Sequence, residues 1–158
     1  MSEEQPQLSP EELKKRIELM KQNCIFCKIV KKEVPAKIVF EDDLCIAVLD
    51  INPATNGHVL LMPKEHYMLM PMVPDNVLGH LGVISKYLSD LLKSAFFSSD
   101  TTIFIANGVA AGQQSQHFMM HVIPRFPGDE IKFDLSGSVS EFELKELASK
   151  LKSRLEGN

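Results

Sequence analysis

Hydrophobic positions follow a helical period in three stretches of the chain. In the first stretch Leu13, Ile17 and Met20 recur every three or four residues, so they share one face. The first and last stretches also begin with a capping box, in which a serine and a glutamate three residues later satisfy free backbone groups. The predicted helices span residues 10–22, about 74–97 and about 140–155.

Short apolar segments between these helices predict strands, because they are rich in β-branched residues and bounded by turn signals. Asp42 and Asp43 between the first two segments suit a tight hairpin turn, and Pro63 ends the third segment. The predicted strands span residues 37–41, 44–49, 57–62, 101–105 and 117–123. We therefore expect an α+β fold: a five-stranded antiparallel sheet with one long inserted helix and a helix at each end of the chain.

Length and composition predict one domain. The chain has 158 residues, of which 44% are hydrophobic and 24% charged, and these values are typical of a globular protein. We expect a tail and extension helix at residues 1–22 and a single domain over residues 23–158. The sequence contains neither an apolar run of membrane-spanning length nor a signal-peptide core, so we predict a cytoplasmic protein. A net charge of −4 without runs of Lys or Arg argues against a general nucleic-acid surface.

The last predicted strand carries the strongest chemical signal. Alternate side chains of a strand share a face, so His117, Met119 and His121 would point the same way. An imidazole can bind a metal, donate a hydrogen bond or attack a phosphorus atom, whereas the thioether of Met119 cannot take up a phosphoryl group as imidazole does. The pattern thus places a thioether between two imidazoles on one face of the strand.

Residues 112–125 read Gly-Gln-Gln-Ser-Gln-His-Phe-Met-Met-His-Val-Ile-Pro-Arg. This stretch resembles the signature of the histidine triad (HIT) family, His-x-His-x-His followed by apolar residues and often by Ile-Pro-Arg. The resemblance extends over about residues 24–126 and is closest to the Hint/Fhit-like members that begin with Cys-x-x-Cys. Three further segments carry it: Cys-Ile-Phe-Cys-Lys-Ile-Val at 24–30, Val-Leu-Asp-Ile-Asn-Pro at 48–53 and Gly-His-Val-Leu-Leu-Met-Pro-Lys-Glu-His at 57–66.

The resemblance implies a site for a purine mononucleotide such as AMP, or for a nucleotide conjugate. Asp50 would accept hydrogen bonds from the ribose hydroxyls, with Ile51 against the base, although a turn carboxylate is an alternative reading of Asp50. Phe26 and Ile29 would line the base, although core packing explains both equally well. The residues that would surround the phosphate are Asn107, Gly112, Gln113, Gln114 and His121. His58 would support His121 from the neighbouring strand.

Cys24 and Cys27 form half of a tetrahedral zinc site, although free buried thiols are an alternative. His66 and His117 are the candidates that would complete it. Several HIT relatives with the Cys-x-x-Cys start bind zinc through two cysteines, the first triad histidine and an upstream histidine. The resemblance therefore implies a structural zinc ion at a closed Cys2His2 site.

Three functions compete because Met119 occupies the position of the family's nucleophile. The favoured one is a nucleotide-binding protein whose nucleotidyl hydrolase or transferase chemistry is absent or altered. The second is an active hydrolase of nucleoside phosphoramidates or dinucleoside polyphosphates that uses another residue such as His121, and the third is an interaction protein with a vestigial pocket. The resemblance also implies a homodimer built through the long helix and an adjacent strand.

Overall fold

The computed structural model describes residues 9–156; most of the tail predicted at the N-terminus (residues 1–8) and the last two residues lie outside that range. The helices are α1 (Pro10–Asn23), α2 (Ile25–Val30), α3 (Asp75–Phe96) and α4 (Glu141–Leu155). The strands are β1 (Ile38–Glu41), β2 (Cys45–Leu49), β3 (Val59–Pro63), β4 (Asp100–Phe104) and β5 (Met120–Arg125). Single turns of 3-10 helix occur at Met70–Met72 and Val109–Ala111.

The five strands form one antiparallel sheet in the order β1-β2-β3-β5-β4, so the predicted α+β class is confirmed. Strand β5 comes last in the sequence but lies between β3 and β4, and each neighbour pairs with it in register. His121 of β5 faces Leu60 of β3 on one side and Phe104 of β4 on the other. The residues around His121 are therefore held by the interior of the sheet.

Helix α3 covers one face of the sheet. Its apolar side chains recur at helical spacing and pack on alternate residues of β2, β3 and β5. The opposite face carries a smaller cluster to which α2 contributes. The α3 side chains that are buried and apolar are Val77, Leu81, Ile84, Leu88 and Leu92.

The sequence prediction of the last strand is wrong at both ends, because β5 begins at Met120 instead of residue 117 and continues to Arg125. The backbone N–H of Phe118 donates to the carbonyl of Tyr67, at 2.6 Å, so it is taken up by the loop that follows β3. The side chains still alternate: Phe118 and Met120 pack on the α3 face, and Met119 packs on the opposite face.

The ends of β1 to β4 lie within two residues of their predicted positions, and two further features differ from the sequence predictions. Helix α2 was not predicted, because six residues are too few to display a helical period. The hairpin between β1 and β2 contains three residues, Asp42 to Leu44, and not two. The division of the chain at residues 22 and 23 stays a prediction, as does the cytoplasmic location. No helix within residues 9–156 is long and apolar enough to cross a bilayer.

Asp42 connects the β1–β2 turn to α3. Its Oδ1 accepts hydrogen bonds from the backbone N–H groups of Leu44 and Cys45, at 2.9 and 2.8 Å. Its Oδ2 lies 2.6 Å from Nε2 of His80 on α3. Burial opposes ionisation of this carboxyl, but the hydrogen bonds from His80 and from the turn outweigh it and lower the pKa of Asp42 to about 2.

We expect Asp42→Ala to lower the free energy of unfolding by about 1–3 kcal/mol, because it leaves two backbone donors without their acceptor. Asp43→Ala is the matched control at the same turn and should change stability by less than about 0.5 kcal/mol. The folded Asp42 keeps its charge down to about pH 2, whereas an unfolded aspartate is protonated near pH 4. Denaturant titrations should therefore show its contribution in full above pH 4 and shrinking as pH falls towards 2; equal stability of both variants would contradict the assignment.

Candidate functional site

Four metal-ligating side chains meet at the junction of α2, the end of β3 and the segment before β5. Cys27 Sγ lies 3.2 Å from Nδ1 of His66 and 3.6 Å from Nδ1 of His117. Cys24 Sγ lies 3.5 Å from the same nitrogen of His117. All four ligand atoms lie within 4.8 Å of one another, so the set predicted from the sequence is brought together.

One hydrogen bond sets the tautomer of His117. Its Nε2–H donates to the carbonyl of Pro63 at 2.9 Å, which leaves the lone pair of Nδ1 directed at the thiols. A backbone carbonyl that fixes the second nitrogen is the usual support of a metal-binding histidine. Nε2 of His66 is buried without a hydrogen-bond partner among the described residues, and its Nδ1 faces Cys27. Two sulfur and two nitrogen donors fit a tetrahedral zinc ion.

Burial favours the neutral forms of three of these side chains, Cys27, His66 and His117. Burial, followed by the neighbouring Cys24, raises the pKa of the Cys27 thiol to about 12. Burial also lowers the pKa of His117 to about 4 and that of His66 in the same direction. A cation bound here would replace the thiol protons, so its affinity would rise with pH.

A second cluster lies on the sheet face opposite α3 and contains Asp50, His58 and His121. His58 is buried and its Nε2 lies 3.0 Å from Nδ1 of His121. The backbone N–H of Ala54 donates to Nδ1 of His58 at 3.1 Å, so the proton of the neutral His58 ring is on Nε2. His58 therefore donates to His121, and the proton of His121 is on its outer nitrogen, Nε2.

The carboxylate of Asp50 has the turn role that the sequence left open as an alternative, and its ribose-binding role stays a prediction. Its Oδ1 accepts a hydrogen bond from the backbone N–H of Asn52 at 2.9 Å, which is the turn role. Its Oδ2 lies 3.4 Å from Nδ1 of His58, and that nitrogen already accepts from Ala54. Because Nδ1 of the neutral His58 carries no proton, it cannot donate a hydrogen bond to Oδ2 of Asp50.

Phe104 is a site residue that the sequence reasoning missed. Its ring lies parallel to the imidazole of His121, with an angle of 3° and a centroid separation of 4.4 Å. Burial, followed by the neighbouring His58, lowers the pKa of His121 to about 4. No residue pattern pointed to this contact, because it arises from the pairing of β4 with β5, which places these two residues opposite each other.

The side chains of two residues predicted at the phosphate site, Asn107 and Gln113, hold the loop between β4 and β5. Gln113 Oε1 accepts from the backbone N–H of Gly108, and its Nε2 donates to the carbonyls of Met68 and Ser115, all at 2.7–2.8 Å. Asn107 Oδ1 accepts from the N–H of Met70. The loop also contains Gly112, which adopts a φ of 86°, a backbone conformation that favours glycine. The side chain of Gln114 is exposed.

The proposed base-binding residues divide into packed and free side chains. Ile29 is buried and Phe26 half-buried, and both pack against the apolar cluster on the face opposite α3. Met119 packs against the same cluster and is half-buried. Ile51 is 91% exposed, so it is available to a ligand. The structure supports the core-packing alternative for Phe26 and Ile29 and leaves a ligand role open to the exposed edge of Phe26.

The chain belongs to the HIT family, since residues 31–128 match the sequence model of the HIT domain. An uncharacterized HIT-like protein of Methanocaldococcus jannaschii is 40% identical over 131 residues, which cover 82% of this chain and 98% of that protein. Adenosine 5'-monophosphoramidase HNT1 of Saccharomyces cerevisiae is 33% identical over 138 residues, covering 81% and 82%. Adenylylsulfatase HINT3 of Arabidopsis thaliana is 36% identical over 106 residues, covering 67% of this chain and 54% of that protein.

Solved structures show the same fold. The crystal structure of SMU.412c from Streptococcus mutans UA159 superposes with a TM-score of 0.80 at 31% identity, and the match covers 84% of this chain and 85% of that one. The crystal structure of a Zn-bound histidine triad family protein from Mycobacterium smegmatis superposes with a TM-score of 0.68 at 28% identity, covering 87% and 98%. The family assignment made from the sequence is therefore confirmed.

The buried histidines predict an acid-sensitive fold. Because burial lowers the pKa of His58, His66, His117 and His121, the unfolded chain binds protons below about pH 6.5 that the folded chain does not. The free energy of unfolding of the metal-free protein should thus fall as pH decreases from about 6.5 to 4. Each such histidine contributes up to about 1.4 kcal/mol per pH unit to this decrease in the free energy of unfolding.

His121→Asn tests the contribution of one residue. Asparagine does not titrate in this range, so denaturant titrations of this variant should show a smaller pH slope than those of the native chain. An unchanged slope would contradict the assignment of a low pKa to His121.

Proposed function

We propose that this protein binds AMP or an AMP-linked conjugate on the sheet face around β5, and that it lacks the covalent nucleotidyl transfer of an active HIT enzyme. One observation carries the proposal: His121 is held as a neutral hydrogen-bond donor, while the position two residues before it is Met119. The names of HNT1 and HINT3 support an adenylyl-containing ligand, because both refer to AMP-linked substrates.

The orientation of His121 favours binding over nucleophilic attack. Its Nδ1 accepts the hydrogen bond of His58, at 3.0 Å, and its outer nitrogen carries the proton. An N–H group can donate to a phosphate oxygen, but an attack on phosphorus needs a lone pair. His121 would have to exchange tautomers and lose its bond to His58 before it could act as the nucleophile.

The surrounding residues supply the other parts of a nucleotide site. Oδ2 of Asp50 suits the ribose hydroxyls, and the exposed Ile51 suits one face of the base. The loop fixed by Gln113, together with the amide of Gln114, would supply N–H groups to the phosphate. Anion binding by backbone N–H groups does not require a positively charged surface, which agrees with the acidic chain.

The protein should release no AMP from an adenosine phosphoramidate or from diadenosine polyphosphates, whereas Met119→His should do so, because an imidazole would then stand at the nucleophile position. Met119→Gln is the matched control, since it has similar size and cannot form a nucleotidyl intermediate. AMP release is measured by chromatography, and binding by the rise in melting temperature with AMP concentration.

Two results would decide against the proposal. Turnover by the native chain that His121→Ala abolishes would establish the alternative, an active hydrolase that uses His121. Absence of any AMP-dependent stabilisation at millimolar concentration would indicate the third function, an interaction protein with a vestigial pocket.

We also propose a structural zinc ion at Cys24, Cys27, His66 and His117. The donor set, the fixed tautomer of His117 and the Zn-bound relative from Mycobacterium smegmatis support it. The four residues would occupy all tetrahedral positions, so the ion would not bind substrate. It would join α2 and the end of β3 to the segment that enters β5.

The purified protein should contain about one zinc ion per chain, as measured by plasma mass spectrometry. Cys27→Ser should lose the ion and lower the melting temperature, because the binding free energy contributes to folding. Cys45→Ala, at the third free cysteine, is the control and should keep its zinc. Equal zinc contents in Cys27→Ser and the native chain would rule out this ligand set.

A homodimer through α3 and β4 remains part of the proposal. Strand β4 is the edge of the sheet, and its Ile103 is 41% exposed. The outer face of α3 carries Val83, Tyr87 and Leu91, which are 48–63% exposed. Apolar side chains beside an unpaired strand edge support the addition of a second sheet there.

A further inference from the structure

Helix α4 has no partner among the described residues. Every residue from Glu141 to Leu155 is exposed, whereas α3 buries six side chains. A helix of 15 residues is only marginally stable alone in water, and its capping box at Ser140 and Glu143 adds about 1 kcal/mol. A second surface is therefore expected to cover it.

One side of α4 is apolar along its whole length, and we refer to this side as the leucine stripe. Its members recur at intervals of three or four residues, so they share a face, and its leucines are 51–76% exposed. Phe142, which is 72% exposed, lies on the opposite side of the helix. The leucine stripe consists of Leu144, Leu147, Ala148, Leu151 and Leu155.

The charges of α4 differ between its two halves. The first half carries three glutamates and one lysine, and the second half carries three basic residues and no acid. A parallel pair of such helices would place like halves side by side, whereas an antiparallel pair places each acidic half beside a basic half. These charged residues are Glu141, Glu143, Lys145 and Glu146, then Lys150, Lys152 and Arg154.

We propose that the leucine stripe of α4 packs against the same stripe of a second copy of this chain, with the two helices antiparallel. Leu144 of one copy would contact Leu155 of the other, and Leu147 would contact Leu151. Glu143 would lie beside Arg154 of the other copy, and the twofold axis would repeat this contact. One surface that is complementary to itself is the requirement for a twofold symmetric interface.

At the opposite edge of the leucine stripe, this arrangement brings two positive charges towards each other. Lys145 of one copy would lie near Lys152 of the other. Lys145 is already paired with Glu141 of its own helix, at 2.9 Å, and that carboxylate reduces the repulsion. The antiparallel pair thus keeps its favourable charge contacts, and it requires no unidentified partner.

Disulfide cross-linking of the full chain distinguishes the orientations. Leu144→Cys and Leu155→Cys proteins are mixed, oxidised mildly and digested, and the linked peptides are identified by mass spectrometry. Peptide identification separates these products from any formed by the natural cysteines. We expect the mixed 144–155 disulfide to exceed the 144–144 and 155–155 products several-fold.

Ser149→Cys mixed with Ser153→Cys is the matched control on the opposite side of α4, and it should give only background cross-linking. Like-with-like products in excess, yields equal to the control or no intermolecular disulfide would each overturn the proposal. A 144–155 disulfide forms only where two α4 helices meet, so its yield does not depend on whether the dimer through α3 and β4 exists. The nucleotide site is not involved in either outcome.

Discussion

The hydrogen bond from His117 Nε2 to the carbonyl of Pro63 is the interaction on which the rest of the site depends. It joins the end of β3 to the chain that enters β5, and it turns Nδ1 of His117 towards Cys24 and Cys27. Four residues later the same chain presents His121. The geometry of the cluster of Cys24, Cys27, His66 and His117 and that of the proposed nucleotide site are therefore fixed by one short segment.

The two clusters use histidine in different ways. His117 and His66 offer lone pairs to a cation, whereas the hydrogen bond of His58 leaves His121 with an N–H group for a ligand. Between them, Met119 packs with apolar neighbours and supplies neither a lone-pair nitrogen nor a proton. The side chain between the two clusters therefore cannot form the covalent bond to phosphorus that an imidazole could form.

Most of this organisation could be predicted from the sequence, because the helical spacing of apolar residues and the spacing of Cys and His can be recognised without knowing any contacts. The set Cys24, Cys27, His66 and His117 is together in the structure as predicted. The predicted start of β5 was wrong because the N–H of Phe118 donates a hydrogen bond to a loop carbonyl, and no residue pattern reveals that partner. Phe104 was missed because its contact with His121 arises from the register between strands, which the sequence does not show.

We propose that His121 binds the nucleotide as a neutral hydrogen-bond donor and that Met119 cannot form the covalent intermediate. Long-range proton–nitrogen NMR spectra of the histidine rings test it most directly, with and without AMP. We expect Nε2 of His121 to be protonated and Nδ1 to carry no proton. This tautomer should persist in the complex, and AMP should shift the Nε2 signal. A His121 ring protonated on Nδ1, or one that does not respond to AMP, would contradict it.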